Sequence, residues 1–153
     1  MSIWLTLHLI GILISIGNII TAAFWKIRAD LTNNPVEIHS AAKNVMLADY
    51  VFTLPGIVLI VISGGAMAAQ AGLSVSGLNW LTFSLILFAI TGIIWATILI
   101  PLQFKMIKCS AQSVKTGIIS IEYRNASRSW AIFGIVATLL PIVILYLMVT
   151  KGF

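Results

Sequence analysis

The chain has 153 residues, of which 60% are hydrophobic and only 8% charged, and nine Lys and Arg against four Asp and Glu leave a net charge of +5. A mean hydropathy of +1.09 excludes a water-soluble globular domain, because a fold of this length still exposes roughly a third of its unfolded surface. The basic balance does not point to nucleic acid, since the cations are scattered and lack interleaved aromatics; attraction to anionic lipid headgroups is their simpler use.

Four stretches reach the roughly 20 apolar residues that span a bilayer: 3–24, 50–69, 80–100 and 130–150. The expectation is an all-α, polytopic membrane four-helix bundle forming a single domain over residues 1–153. No Lys or Arg precedes the first apolar run, so it reads as a retained helix rather than a signal peptide. Along it, His8, Gly11, Ser15, Asn18 and Ala22 recur at spacings of three and four and form one small, polar stripe, which should face other helices rather than lipid. The stripe serves either as a packing seam or, through His8, as a site. An imidazole in hydrocarbon needs a partner or a cavity, and neutral imidazole is both a common haem-iron ligand and a proton carrier.

After the first segment come Lys26, Arg28 and Lys43, and between the third and fourth come Lys105, Lys108, Lys115, Arg124 and Arg128; the connection from Gln70 to Asn79 carries no charge. The positive-inside rule therefore puts both basic connections in the cytoplasm and both termini on the outer side of the inner membrane. Asn34-Pro35-Val36-Glu37 is a helix start, with Asn34 as N-cap and Pro35 at the first helical position. The second helix then begins in the cytoplasm and runs through Asp49, the first continues to about Ala29, and residues 31–33 form the turn. His39 falls on this extension and reads as a surface residue.

In the third connection, Phe104, Ile107, Ala111 and Val114 keep a helical period, which extends the third helix to about Ser113. Gly117 and the stretch from Asn125 to Ser127 are the plausible breaks before the fourth. Pro55, Pro101 and Pro141 free the carbonyls of Val51, Thr97 and Ala137, producing either kinks that open space or simple bends. Asp49, near the membrane boundary, calls for a cation, and Arg128 and Arg28 are the nearest choices. Trp4, Trp25, Trp80 and Trp130 read as interfacial anchors and Trp95 as a packed residue that an indole's flat face also lets flank a planar ligand. Lys151 either snorkels or meets an anionic group, and Gln70 is an interfacial residue at the same end. Cys109 has no disulfide partner, and no phosphate-binding loop, zinc spacing or nucleophilic triad is present.

Leu7-His8-Leu9-Ile10-Gly11, Asp49 with Leu54-Pro55-Gly56, Ile100-Pro101-Leu102-Gln103 and Val149-Thr150-Lys151 together resemble an uncharacterised bacterial family of predicted four-helix integral membrane proteins. More distantly, the early His8 and the late Lys151 resemble the HemJ-type protoporphyrinogen oxidase, a four-helix membrane protein that binds haem b. That resemblance implies His8 as a haem-iron ligand, Lys151 as a functional basic residue that can meet a propionate, and a membrane redox partner. The other expectation is a non-enzymatic scaffold or one subunit of an oligomeric transporter, with a homo-oligomer implied.

Overall fold

The computed structural model describes residues 2–151, and among them there is no strand. Four long helices make up the fold: α1 (Ser2–Thr32), α2 (Pro35–Gln70), α3 (Trp80–Thr116) and α4 (Ile121–Thr150), each long and apolar enough to cross a membrane.

The helix ends follow local chemistry. Asn33 turns the chain with φ of 53°. Asn34 then caps α2 by accepting from the Val36 N–H at 3.0 Å, while its amide donates to Glu37 at 3.3 Å. Asn79 caps α3 by accepting from the Leu81 and Thr82 N–H groups, each at 3.0 Å. At the far end of α3, Gly117 takes φ of 71°, a left-handed conformation that suits a residue without Cβ. Three boundaries differ from expectation. The first helix runs to Thr32 rather than to about Ala29. The third helix runs to Thr116, and Asn125 to Ser127 are no break: Ser120 caps α4 through the Tyr123 N–H, which leaves Ala126 inside the helix and buried in the core.

Two of the three prolines change the helix type rather than simply bending it. Asp49–Thr53 in α2 and Trp95–Leu99 in α3 are π-helical turns, and each ends immediately before a Leu-Pro or Ile-Pro pair. Proline cannot donate to the carbonyl four residues back. The preceding residue adapts by reaching five back: the Leu54 N–H bonds the Asp49 carbonyl and the Ile100 N–H bonds the Trp95 carbonyl. Pro141 sits within a helix of ordinary type.

Packing differs between the two ends of the bundle. At the uncharged end, residues 54–70 pack on α1 and residues 80–94 pack on α4, while 54–70 and 80–94 do not pack closely on each other. The α1–α2 seam is the polar stripe anticipated from the sequence. Gly11 and Gly56 face each other so closely that a Cβ on either lies 2.8 Å from the other's carbonyl oxygen. At the basic end all four helices meet in a core that includes Ile38, Ala42 and Val45 of α2, Met106 of α3, and Tyr123 and Ala126 of α4.

An ion pair absent from the sequence reading ties α1 to α4 there. Lys26, 1% exposed, sets its Nζ 2.5 Å from Asp30 Oδ2 one turn along α1 and also donates to Ser127 Oγ. Ser127 Oγ donates to Asp30 Oδ2 at 2.8 Å, and the Tyr123 hydroxyl donates to Asp30 Oδ1 at 2.6 Å. The ammonium also lies 5.6 Å and 5.4 Å from the ring centroids of Tyr123 and Trp130, within cation–π range.

Two outcomes are expected in thermal scans of detergent-solubilised protein. Gly11→Ala or Gly56→Ala overpacks the seam and lowers stability by about 1–3 kcal/mol, whereas Gly65→Ala, with no neighbour within 4 Å, leaves the transition in place. Asp30→Asn weakens three bonds around a buried ammonium and costs about 1.5–3 kcal/mol, while Glu37→Gln on the exposed helix start changes little.

Candidate functional site

The π-helical turn that opens at Asp49 carries this carboxylate to the meeting point of three helices, where it is 6% exposed. Oδ1 accepts from Asn18 Nδ2 of α1 at 3.1 Å and from Thr53 Oγ1 of α2 at 2.9 Å. Oδ2 accepts from Gln103 Nε2 at 2.7 Å and from Trp95 Nε1 at 3.3 Å, both of α3. Asn18 Nδ2 also donates to Thr53 Oγ1 at 2.9 Å, which closes the ring of contacts. Trp95 opens the π-helical turn of α3 as Asp49 opens that of α2, so the two irregular turns are bonded through their first side chains.

No cation takes part. The expected pairing of Asp49 with Arg128 or Arg28 does not occur: both arginines are exposed, and among the described residues the one ion pair is Lys26 with Asp30. The physical reason is direction. Asp49 points into the helix interface, beyond the reach of side chains on the outer faces, and four charge-assisted bonds of about 1.5–3 kcal/mol each offset a desolvation penalty of several kcal/mol.

Gln103 is the adaptable member of this cage. It is 1% exposed, its Nε2 holds Asp49, and its Oε1 is buried without a partner. A primary amide offers both donor and acceptor, whereas the Trp95 indole and the Asn18 amide nitrogen only donate. The cage thus already contains an acceptor that an ionised carboxylate leaves unused.

A hollow of about 440 Å³ between α1 and the first part of α2 is lined by Asn18, Thr21, Trp25, Glu37, Ser40 and Asn44, among others. It runs from the exposed start of α2 to Asn18, the residue that bonds Asp49. Its lining is mixed, with Asn18, Thr21, Ser40 and Asn44 set among Ala22, Trp25, Ala41 and Val45.

The residues singled out at the other end do not form one site. His8 belongs to the α1–α2 seam: it is 7% exposed, its Nδ1 lies 3.1 Å from the Ile60 carbonyl and 3.1 Å from Ser63 Oγ, and its Cε1 would meet a Cβ on Gly64 at 3.2 Å. Lys151 is the exposed left-handed cap of α4, with Nζ 5.6 Å from the Trp80 ring centroid. The two stand on different helix pairs, His8 on the seam between α1 and α2 and Lys151 at the end of α4. Gln70 is an exposed residue at the end of α2.

Two further expectations are corrected. His39 is half-buried rather than a surface residue, because its Nδ1 bonds Ser110 Oγ at 2.9 Å and links α2 to α3. Trp130 is no interfacial anchor: it is 8% exposed, within the basic-end core. Sequence reading found Asn18, Asp49, Trp95 and Gln103 singly and did not join them. It missed Thr53, although Thr53 stands one turn from Asp49 on the same helix, and it missed the Lys26–Asp30 pair, whose spacing of four was visible.

A family described as "Predicted integral membrane protein (DUF2269)" matches residues 2–152. No curated protein and no solved structure matches the chain, and the porphyrinogen-oxidase resemblance is not among the findings. The match covers nearly every residue, all four helices and the cage around Asp49, and on that evidence the chain belongs to the DUF2269 family of predicted integral membrane proteins.

Proposed function

We propose that this integral membrane protein is a proton-responsive component of a bacterial inner membrane, with Asp49 as the group that takes up and releases the proton. The observation that carries this reading is a carboxylate, 6% exposed, held by four neutral donors and by no cation. A carboxylate neutralised by Lys or Arg is a structural pin; one held only by neutral groups keeps a charge that a proton can cancel. Among the described residues, the groups bonded to Asp49 are all neutral. From α1, α2 and α3 the contacts are Asn18, Thr53, Trp95 and Gln103, and α4 contributes no bonded partner.

Ionised Asp49 uses all four donors. A proton on Oδ2 turns that oxygen into a donor facing two other donors. Rotating the Gln103 amide then presents Oε1 to the new O–H, and the Trp95 indole loses its acceptor. Because Trp95 begins a π-helical turn, the release is felt where α3 is least regular, and such turns recur at functional sites. With the basic end in the cytoplasm, as the charge distribution implies, the hollow from Glu37 to Asn18 supplies protons from that side. A proton-responsive scaffold and a subunit of a proton-coupled transporter both use this element.

The experiment is infrared difference spectroscopy of the protein in lipid vesicles, cycled in pH. The chain has four carboxyl side chains, Asp30, Glu37, Asp49 and Glu122. We expect a reversible protonated-carboxyl band that Asp49→Asn removes while fold and helicity persist, together with a pH-dependent Trp emission change that is lost in Trp95→Phe. Identical difference spectra for wild type and Asp49→Asn overturn the reading.

Haem at His8 is the competing reading, since the Ile60 carbonyl 3.1 Å from Nδ1 would hold that nitrogen and leave Nε2 to a metal. Absorption spectra of protein from haem-supplemented cells, beside His8→Ala, separate the two. We expect no stoichiometric Soret band that depends on His8; such a band establishes the haem instead.

A further inference from the structure

We propose that a second hollow at the basic end, bounded mainly by α1 and α4, binds a phosphate group, carried by an anionic lipid headgroup or free. It encloses about 240 Å³ and is lined by Lys26, Asp30, Tyr123, Arg124, Arg128 and Trp130 among others. That is room for several waters or one phosphate, at about 30 Å³ per water.

The walls specify the ligand's chemistry through what they leave unused. Asp30 spends both oxygens on Lys26, Ser127 and Tyr123. The remaining capacity is donor capacity. Arg124 gives one contact, to Asn33 at 3.4 Å, and Arg128 has no hydrogen-bond or ion-pair partner among the described residues. The indole Nε1 of Trp130 is buried and lacks an acceptor. Three lining cations against one lining carboxylate leave a net charge of +2, from Lys26, Arg124, Arg128 and Asp30.

A cation finds no acceptor here, and a neutral apolar ligand leaves the indole N–H orphaned. A tetrahedral oxyanion fits, because it presents several acceptor oxygens to two guanidinium groups and one indole. Arg124 and Arg128 stand one turn apart on α4 and so share a face. The hollow lies where the last apolar stretch, residues 130–150, meets the basic end of the bundle, the region in which anionic lipid headgroups are met.

The test uses delipidated, detergent-solubilised full-length protein in phosphate-free buffer. Native mass spectrometry measures retention of phosphatidylglycerol against phosphatidylcholine, and calorimetry measures inorganic phosphate. We expect selective binding of phosphatidylglycerol that falls about tenfold or more in the double variant Arg124→Gln/Arg128→Gln and about tenfold in Trp130→Phe. The control Lys105→Gln/Lys108→Gln removes the same charge elsewhere on the basic end and changes affinity by less than about twofold. Binding of inorganic phosphate with the same variant pattern assigns the site to the free ion; binding of the lipid alone assigns it to the headgroup. Equal weakening by both double variants reduces the effect to diffuse charge and overturns the site, as does unchanged affinity in a folded Trp130→Phe or failure of both probes to bind.

Discussion

A negative charge buried among three helices, with no positive charge to meet it, is the constraint on which the middle of this molecule depends. Asp49 has two oxygens with room for about four hydrogen bonds, and the fold supplies four donors from residues 18, 53, 95 and 103. Meeting that demand fixes the register of α1 against α2 and of α2 against α3. It also gives the two π-helical turns a purpose beyond accommodating proline. Widening one turn by a residue re-aims the side chain that opens it, and here the two re-aimed side chains are Asp49 and Trp95, which face each other. A structure that spends this many polar groups on one carboxylate, where a hydrophobic pair would pack more cheaply, is organised around the charge rather than merely tolerating it.

The two ends of the molecule are held by different physics. Where the helices are most apolar, lipid removes the hydrophobic drive for association, and close contact depends on small residues and shared hydrogen bonds. Gly11 against Gly56 and His8 against Ser63 and Ile60 are the means used. Beyond the apolar stretches, burial from water regains its value, and Ile38, Met106 and Tyr123 form a core of ordinary soluble character, clamped by the Lys26–Asp30 cluster.

Much of this could be read in the sequence because it is local or periodic. The four helices follow from run length, the start of α2 from Asn34, Pro35 and Glu37, and the seam from spacings of three and four between His8 and Asn18. The Asp49 cage was not legible, for three reasons. Its donors lie up to 54 residues from Asp49, and no sequence spacing records such a contact. Proline announces that a carbonyl is freed but not that the helix will widen to a π turn, and that widening decides where Asp49 and Trp95 point. A carboxylate near a membrane also invites a search for its cation, which draws attention to Arg28 and Arg128 and away from neutral donors. His39, taken as a surface residue, and Trp130, taken as an interfacial anchor, were misread for a related reason: the basic end has a core of its own that buries residues at and beyond the ends of the apolar runs.

The separation of the two helix pairs at the uncharged end bears on biogenesis. Each pair, residues 2–70 and 80–150, has its own internal seam at that end, and the two join in the shared core at the basic end. The hydrogen bonds that fasten one hairpin to the other lie from the middle of the bundle to its basic end: Asp49 receives Trp95 and Gln103, and Asp30 receives Tyr123 and Ser127. The first hairpin can therefore enter the bilayer while the second is still being synthesised. Until that second half arrives, Lys26 has only Asp30 and Asp49 lacks half of its donors, so the incomplete protein shows an unsatisfied polar face at the membrane surface.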